Sequence, residues 1–372
     1  MKAKRAKKMK NSVQRPRVVV AMSGGVDSSV AAALLQRAGY EVIGVFMKFW
    51  KETPKRGRTK NLCNYENKCC SAEAQADARR VAAKLKIPLY TVNAEKEFKK
   101  RVVDYFIREY AAGRTPNPCV ECNHYIKFGL LVDKTRAFGT DFLATGHYAK
   151  ISKNSKRKTQ KLLIAKDKNK DQSYFLYTLT QAKLKKIIFP IGNYRKPEVR
   201  QLAKKFGLPI FEKRDSQEIC FIATDLYGFL KARIKAGAGP IITVNGKKIG
   251  EHRGLAYYTI GQRKGLNIGG TGPYYVVKKD FKKNTLIVAN PLAKGQGKDL
   301  LQKEMIVKNV NWVSAKPDNG KCQVKIRSMA KMAEATIKGN KIVFNKPQRA
   351  IASGQSAVFY SKDELLGGGI IR

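Results

Sequence analysis

The stretch RVVVAM (17–22) runs directly into SGGVDSS (23–29), and the reading of that junction decides the fold. RVVVAM is a short, nearly unbroken apolar run and predicts a buried strand. Gly24 and Gly25 interrupt it. Ser28–Ala38, rich in Ala and Leu, predicts a helix that Gly39 stops. Backbone N–H groups at a strand–glycine–helix turn, reinforced by the helix dipole, make an anion site. Glycine lets the backbone approach a phosphate because no Cβ intervenes. Ser23, Ser28 and Ser29 add hydroxyls. The turn lacks the Gly-Lys-Ser/Thr ending of the loop that grips β- and γ-phosphates. Asp27 has two readings: a carboxylate that associates with Mg²⁺ beside phosphates, or a cap of the following helix.

Working outward, Tyr40–Lys48 (YEVIGVFMK) predicts a second strand and Ser71–Leu85 an amphipathic helix. Pro88–Val92 predicts a third strand, Phe98–Tyr110 a helix, and Asp141–Ala144 a strand that ends at Thr145-Gly146-His147. This alternation predicts an α/β fold with a doubly wound parallel sheet. After about residue 225 the texture changes to short β-rich runs: Ile241–Val244, Tyr274–Val277, Thr285–Val288, Gln323–Arg327, Ala335–Ile337 and Ala357–Tyr360. Separated by Gly, Pro, Asn and Lys, they predict a small central domain and a C-terminal β-barrel. The expected division is a basic flexible tail at 1–16, an α/β catalytic domain at 17–222, a central domain at 223–295 and the barrel at 296–372. Lysine-rich inserts at Lys51–Lys60 and Lys150–Lys161 read as surface loops.

The chain has 372 residues, 43% hydrophobic, with Lys+Arg 75 against Asp+Glu 28 and a net charge of +47. One-signed charge of this size repels itself unless a partner offsets it, and a polyanion such as nucleic acid is the natural partner. Eight basic and no acidic residues lie between Lys2 and Arg17, as an RNA-binding arm or as solubilising charge. No run approaches the roughly 20 apolar residues of a membrane helix. Seven cysteines without dense, even spacing fit a reducing, cytoplasmic setting. Oligomeric state is not encoded legibly, and a monomer is the default.

Thr115-Pro116-Asn117-Pro118-Cys119-Val120-Glu121-Cys122-Asn123 is the second informative string. Two prolines bracket Asn117 and restrict the loop, so a cysteine on it can be aimed. Cys220 follows in Asp215-Ser216-Gln217-Glu218-Ile219. Sulfur transfer needs one thiol to carry a persulfide sulfur and another to resolve the disulfide that forms when it leaves. Two other readings stand beside this relay. Cys119, Cys122 and Cys220 are candidate ligands of a [4Fe-4S] cluster with one open iron, or they have structural or zinc roles. Cys63, Cys69 and Cys70 form a less specific group, and Cys322 reads as core.

The string SGGVDS resembles the PP-loop of ATP pyrophosphatases, with the adenine nucleotide alpha hydrolase-like fold. Taken together, AMSGGVDSSV (21–30), VFMK (45–48), GRTPNPCVECNHYIKF (113–128), ATGHYAK (144–150), KDQSYFLY (170–177), DSQEICFI (215–222), GLAYYTIGQRKGL (254–266) and GQSAVFY (354–360) resemble the tRNA-specific 2-thiouridylases, the MnmA family. The resemblance implies a tRNA-uridine 2-sulfurtransferase. ATP adenylates the C2 oxygen of the wobble uridine of tRNAs for Lys, Glu and Gln, and a persulfide sulfur displaces AMP. It implies that Ala21, Met22, Ser23, Gly24, Gly25, Val26, Asp27, Ser28, Met47 and Gly146 bind ATP. Cys122 is then the nucleophile and Cys220 the persulfide carrier. Asn117, Pro118 and Cys119 contact the target base. His147, Lys170, Asp171, Gln172, Arg327, Ser328 and Gln355 contact tRNA, aided by the central domain. A sulfur-carrier protein or a cysteine desulfurase relay supplies the sulfur. Two departures stand out. Cys119 occupies a position where some members carry Asp, and Arg327-Ser328-Met329 stands where an Arg-Tyr-Arg type string is common.

Overall fold

The computed structural model describes residues 15–50, 71–140, 142–154, 159–214, 219–222, 225–269, 272–293 and 296–372. Residues 1–14 of the tail, the 51–60 insert, Cys63, Cys69, Cys70 and residues 215–218 before Cys220 lie outside the described residues.

Val18, Val19 and Val20 have no exposed surface, because strand β1 (Arg17–Ala21) is covered on both faces. That is why its sequence is a continuous apolar run and not an alternating one. Helix α1 (Val26–Arg37) follows, then β2 (Glu41–Lys48), α2 (Ala72–Leu85) and β3 (Leu89–Asn93). Ser71 caps α2 by accepting from the amide of Ala74 at 3.0 Å. A helical stretch comprises α3 (Glu95–Phe98), a π-helical segment (Lys99–Val103) and α4 (Asp104–Ala111). A second one comprises α5 (Pro118–Glu121), a π-helical segment (Cys122–Leu130) and α6 (Leu131–Thr135). The chain returns through β4 (Phe142–Thr145), hairpin β5 (Ala149–Asn154) and β6 (Thr159–Ile164), α7 (Gln181–Leu184), β7 (Ile187–Ile188) and α8 (Lys196–Lys205). The first sheet runs β3-β2-β1-β4-β7 with every neighbouring pair parallel. Strand order reverses at β1, and in such sheets ligands bind beyond the carboxyl ends of the strands at that switch point. The glycine loop leaves β1 there, and Gly146 leaves β4 beside it.

Helix α9 (Leu226–Lys231) leads to a small sheet of β8 (Gly239–Thr243), β9 (Lys248–His252), β10 (Tyr275–Asp280) and β11 (Thr285–Ala289), ordered β10-β11-β8-β9. The barrel then forms from β12 (Leu301–Trp312), β13 (Lys321–Lys325), β14 (Ala333–Lys338), β15 (Lys341–Arg349), β16 (Ser356–Ser361) and β17 (Glu364–Ile371), closed by β12 pairing with β17. Cys322 is a core residue here, with burial pushing its thiol up to about 12.

One expectation is corrected. Lys150–Lys161 is not simply a surface loop: its ends are the strands β5 and β6, and β6 pairs with β17 at Leu163↔Glu364 and Leu162↔Leu365. Ala149, Leu162 and Ile164 are buried. Lys150 and Lys161 on the other face, with Lys153 at the far end of the hairpin, conceal this alternation in the sequence. Residues 155–158 of this segment lie outside the described residues.

Candidate functional site

A cavity of about 450 Å³ opens at the switch point. Ala21 through Ser28, Met47 and Gly146 all contribute to its wall. The glycines turn out to have different tasks. Gly24 has φ +71°, and a Cβ there would lie 2.1 Å from the carbonyl oxygen of Ala74 in α2. Its bareness serves the packing of α2 beneath the loop. Gly25 has no such neighbour and is the residue that leaves the loop open to a ligand; a Cβ would meet only the Ser23 hydroxyl at 3.5 Å. At Gly146 a Cβ would lie 2.6 Å from the Ser28 amide nitrogen, so β4 presses on the loop from the other side.

Of the expected loop hydroxyls, Ser28 and Ser29 are buried and donate to the Gly25 carbonyl at 3.1 and 2.9 Å. They brace the turn from within. Asp27 does not cap α1, because Gly25 is the cap residue and no side chain bonds there. The Asp27 carboxylate instead receives the Lys196 ammonium at 2.8 and 2.9 Å and the Tyr148 hydroxyl at 2.9 Å.

The wall carries four further cations, Lys127, Lys170, Lys213 and Arg214, and a second carboxylate, Asp171. Burial raises the pKa of Asp171, and its oxygens are taken by the Ala165 amide at 2.9 Å and the Ser173 hydroxyl at 2.7 Å. The cavity is therefore suited to an anion of several charges. Lys213 is held by Asp77 of α2, which also holds Arg80. Burial works to raise the Asp77 pKa, but these two cations hold its carboxyl below the usual range. Arg200 of α8 donates to the carbonyls of Phe211 and Lys213 at 2.9 Å each and fixes the segment that delivers Lys213 and Arg214.

His147, Lys170, Asp171, Gln172 and Ser328 line this same cavity, beside the loop and not on a separate surface. His147 is buried, its Nδ1 meeting the Thr145 hydroxyl at 2.7 Å, and burial drives its pKa well down, so the ring is neutral. Gln172 accepts from the Tyr148 amide at 3.0 Å. Met329 stands at the cavity edge and is 86% exposed. Arg327 donates to the carbonyls of Ile260 at 3.0 Å and Ala350 at 2.6 Å, tying the barrel to the small sheet's connecting loop.

The proline-bracketed loop is docked on the barrel. Gln355 donates to the carbonyls of Thr115 at 3.0 Å and Pro116 at 3.4 Å, and the Thr115 amide donates to Ser353 at 2.8 Å. Asn117 and Pro118 are buried. Asn117 caps α5 by accepting from the Val120 amide at 3.4 Å. Cys119 is exposed, Cys122 is buried and Cys220 is half-buried. Cys122 belongs to the main core cluster and Cys220 packs against it. Asn123, next to Cys122, donates to the carbonyl of Phe175, which is part of the cavity wall. Lys127 lies on the same π-helical segment as Cys122. Among the described residues no group of three His, Cys, Asp or Glu side chains is placed to hold a metal ion. For Mg²⁺ the fit is different. One carboxylate plus substrate phosphates is the usual set for this ion, and Asp27 on the wall would be that carboxylate, sharing its oxygens with Lys196 and Tyr148.

Lys127, Asn169, Phe175, Lys196, Lys213 and Arg214 were not legible as site residues. Lysines are everywhere in this chain, and what selects these is contact across long sequence separations.

Among the described residues no helix is long and apolar enough to cross a membrane. Comparisons with known proteins bear on the whole chain. Residues 16–224 match a family model described as tRNA methyl transferase HUP domain, 227–290 one described as tRNA methyl transferase PRC-barrel domain, and 302–371 one described as Aminomethyltransferase beta-barrel domain. A protein of Clostridium botulinum named tRNA-specific 2-thiouridylase MnmA 2 is 45% identical over 364 residues, covering 95% of this chain and 98% of that one. One of Caldanaerobacter subterraneus named tRNA-specific 2-thiouridylase MnmA 1 is 47% identical over 365 residues, covering 95% and 97%. Among solved structures, a 4-thiouridine synthetase–RNA complex with bound ATP aligns over 56% of this chain and 45% of that one, with 19% identity and a TM-score of 0.33, too distant to carry weight.

Proposed function

Because this chain belongs to the tRNA-specific 2-thiouridylase MnmA family, we propose that it thiolates the wobble uridine of tRNAs for Lys, Glu and Gln at the expense of ATP. The observation that carries the reading is the single cavity in which the glycine loop, Met47 and Gly146 meet Lys127, Lys170, Lys213 and Arg214. A polyphosphate fits that lining, whereas methyl transfer, the label of two family models, needs no such cradle.

In this reading the loop amides and cations hold ATP with adenine near Met47. Asp27 would share Mg²⁺ with the phosphates, and the ion would neutralise part of the phosphate charge. A base in a stacked anticodon is out of reach, so uridine is splayed into the site beside Asn117, Pro118 and Cys119, at a cost of a few kcal/mol. The C2 oxygen attacks the α-phosphate and pyrophosphate leaves. The adenylated oxygen is now a leaving group. The terminal sulfur of a Cys220 persulfide attacks C2 and AMP departs. The Cys122 thiolate then attacks the Cys220 sulfur, forms a Cys122–Cys220 disulfide and releases 2-thiouridine. An external dithiol reductant then reduces the Cys122–Cys220 disulfide by exchange and is itself oxidised to a disulfide, and the donor relay passes a sulfane sulfur to the freed Cys220 thiol. Cys122 is 8% exposed, so this order requires the segments around it to open when tRNA docks. The net charge of +47 supports a nucleic-acid substrate.

The test is pyrophosphate release from ATP with and without unmodified tRNA. Release stimulated by tRNA, retained by Cys122→Ser and Cys220→Ser while both lose thiolation, is the expected pattern. Thiolation that survives in either serine variant refutes the relay.

A further inference from the structure

We infer that Lys196 is a positioning residue of the nucleotide site: its ammonium balances the charge of Asp27, so that a carboxylate can stand in the wall of a polyphosphate cavity. The inference rests on the reading of that cavity as an ATP site.

Lys196 is the first residue of α8 and is 7% exposed. Its Nζ lies 2.8 Å from Oδ1 and 2.9 Å from Oδ2 of Asp27. Asp27 stands in the cavity wall, and Lys196 reaches the cavity through it. Two more ties fix the pair. The Tyr148 hydroxyl donates to Asp27 Oδ1 at 2.9 Å. The Lys196 amide donates to Asp167 Oδ2 at 2.9 Å, while Asp167 Oδ1 accepts from the amides of Asn169 and Lys170 at 3.1 and 3.3 Å. Asp167 thus connects the start of α8 to the wall segment that carries Lys170.

The charge logic is simple. Lys127, Lys170, Lys213 and Arg214 act on a ligand directly, and an unbalanced Asp27 would oppose them. Opposite charges at hydrogen-bond distance in a half-buried setting cancel most of each other's field on a third group. Without Lys196 the loop presents a bare negative charge to the triphosphate.

The experiment is calorimetric titration of the full chain with ATP and with adenosine, in EDTA so that no cation substitutes for Lys196. Lys196→Met should weaken ATP binding about 10- to 100-fold and leave adenosine within about twofold, because adenosine carries no charge for Asp27 to repel. Lys196→Arg should bind ATP nearly as the wild type does. Asp27→Asn placed in the Lys196→Met background should recover most of the lost affinity. A merely structural lysine predicts equal losses for ATP and adenosine and no recovery, and either result overturns the inference. Should Lys196→Met fail to fold, Lys196→Gln decides by the same comparison: ATP binding weakened while adenosine binding holds supports the balance, and equal losses for both refute it. Wild-type protein that takes up no ATP, in EDTA or in Mg²⁺, counts against the nucleotide reading itself and not against the pairing.

Discussion

Gly146→Ala asks the most of the proposed geometry with the fewest atoms. The new Cβ would stand 2.6 Å from the Ser28 amide nitrogen, 2.7 Å from the Asp27 carbonyl carbon and 2.9 Å from Ser28 Cα. All three are backbone atoms, and ordinary Cβ contacts begin near 3.4 Å, so something must move by roughly 0.8 Å. The glycine loop cannot simply retreat, because Gly24 already rests on the Ala74 carbonyl of α2. Forced overpacking of this kind costs about 1–3 kcal/mol. If the strain is relieved by tilting the loop amides, it appears as a loss of ATP affinity of about 5- to 150-fold, since about 1.4 kcal/mol is a factor of ten. If β4 yields instead, it appears as a lower melting temperature. The assay is therefore ATP titration and thermal unfolding on the same sample. A variant that matches the wild type in both would refute the view that Gly146 fixes the loop.

Gln355→Ala removes the donor that holds Thr115 and Pro116, and is expected to slow thiolation about tenfold at unchanged ATP affinity, because a lost hydrogen bond is worth about 1 kcal/mol or somewhat more; equal titration curves with unequal single-turnover rates would confirm it. Glu121 has its pKa raised to about 7 by burial and by Glu109, so the folded state holds a proton that the unfolded chain releases near the ordinary carboxyl value of 4.5. Stability from this group is present below that value and falls as pH rises through 7. Glu121→Gln should therefore be more stable than wild type by about 1–3 kcal/mol at pH 8 and indistinguishable from it near pH 4, by denaturant unfolding. In the free protein an alkylating reagent should label Cys119 well before Cys122, and addition of tRNA with ATP should accelerate Cys122, as followed by peptide mass analysis.

The α/β half was legible because its central strands are buried on both faces and announce themselves as apolar runs, with β1 the plainest case. The glycine loop was legible because strand, turn and helix are contiguous in sequence. The roles inside it were less so: nothing in SGG says that Gly24 serves α2 while Gly25 serves the cavity. Hairpin β5–β6 was missed because its outward lysines make the alternation look like a charged loop. Lys196 was missed because it meets Asp27 across 169 residues, a distance over which no motif extends. That Gln355 holds the proline loop was not legible either. A long-range hydrogen bond of that kind has no local signature.

The most direct test of the account is anaerobic single-turnover thiolation of unmodified tRNA by persulfide-loaded enzyme stripped of iron, with ATP. The account predicts 2-thiouridine, AMP and pyrophosphate in equal amounts from the enzyme's own sulfur. Thiolation that appears only after iron reconstitution would contradict it and make ligands of Cys119, Cys122 and Cys220.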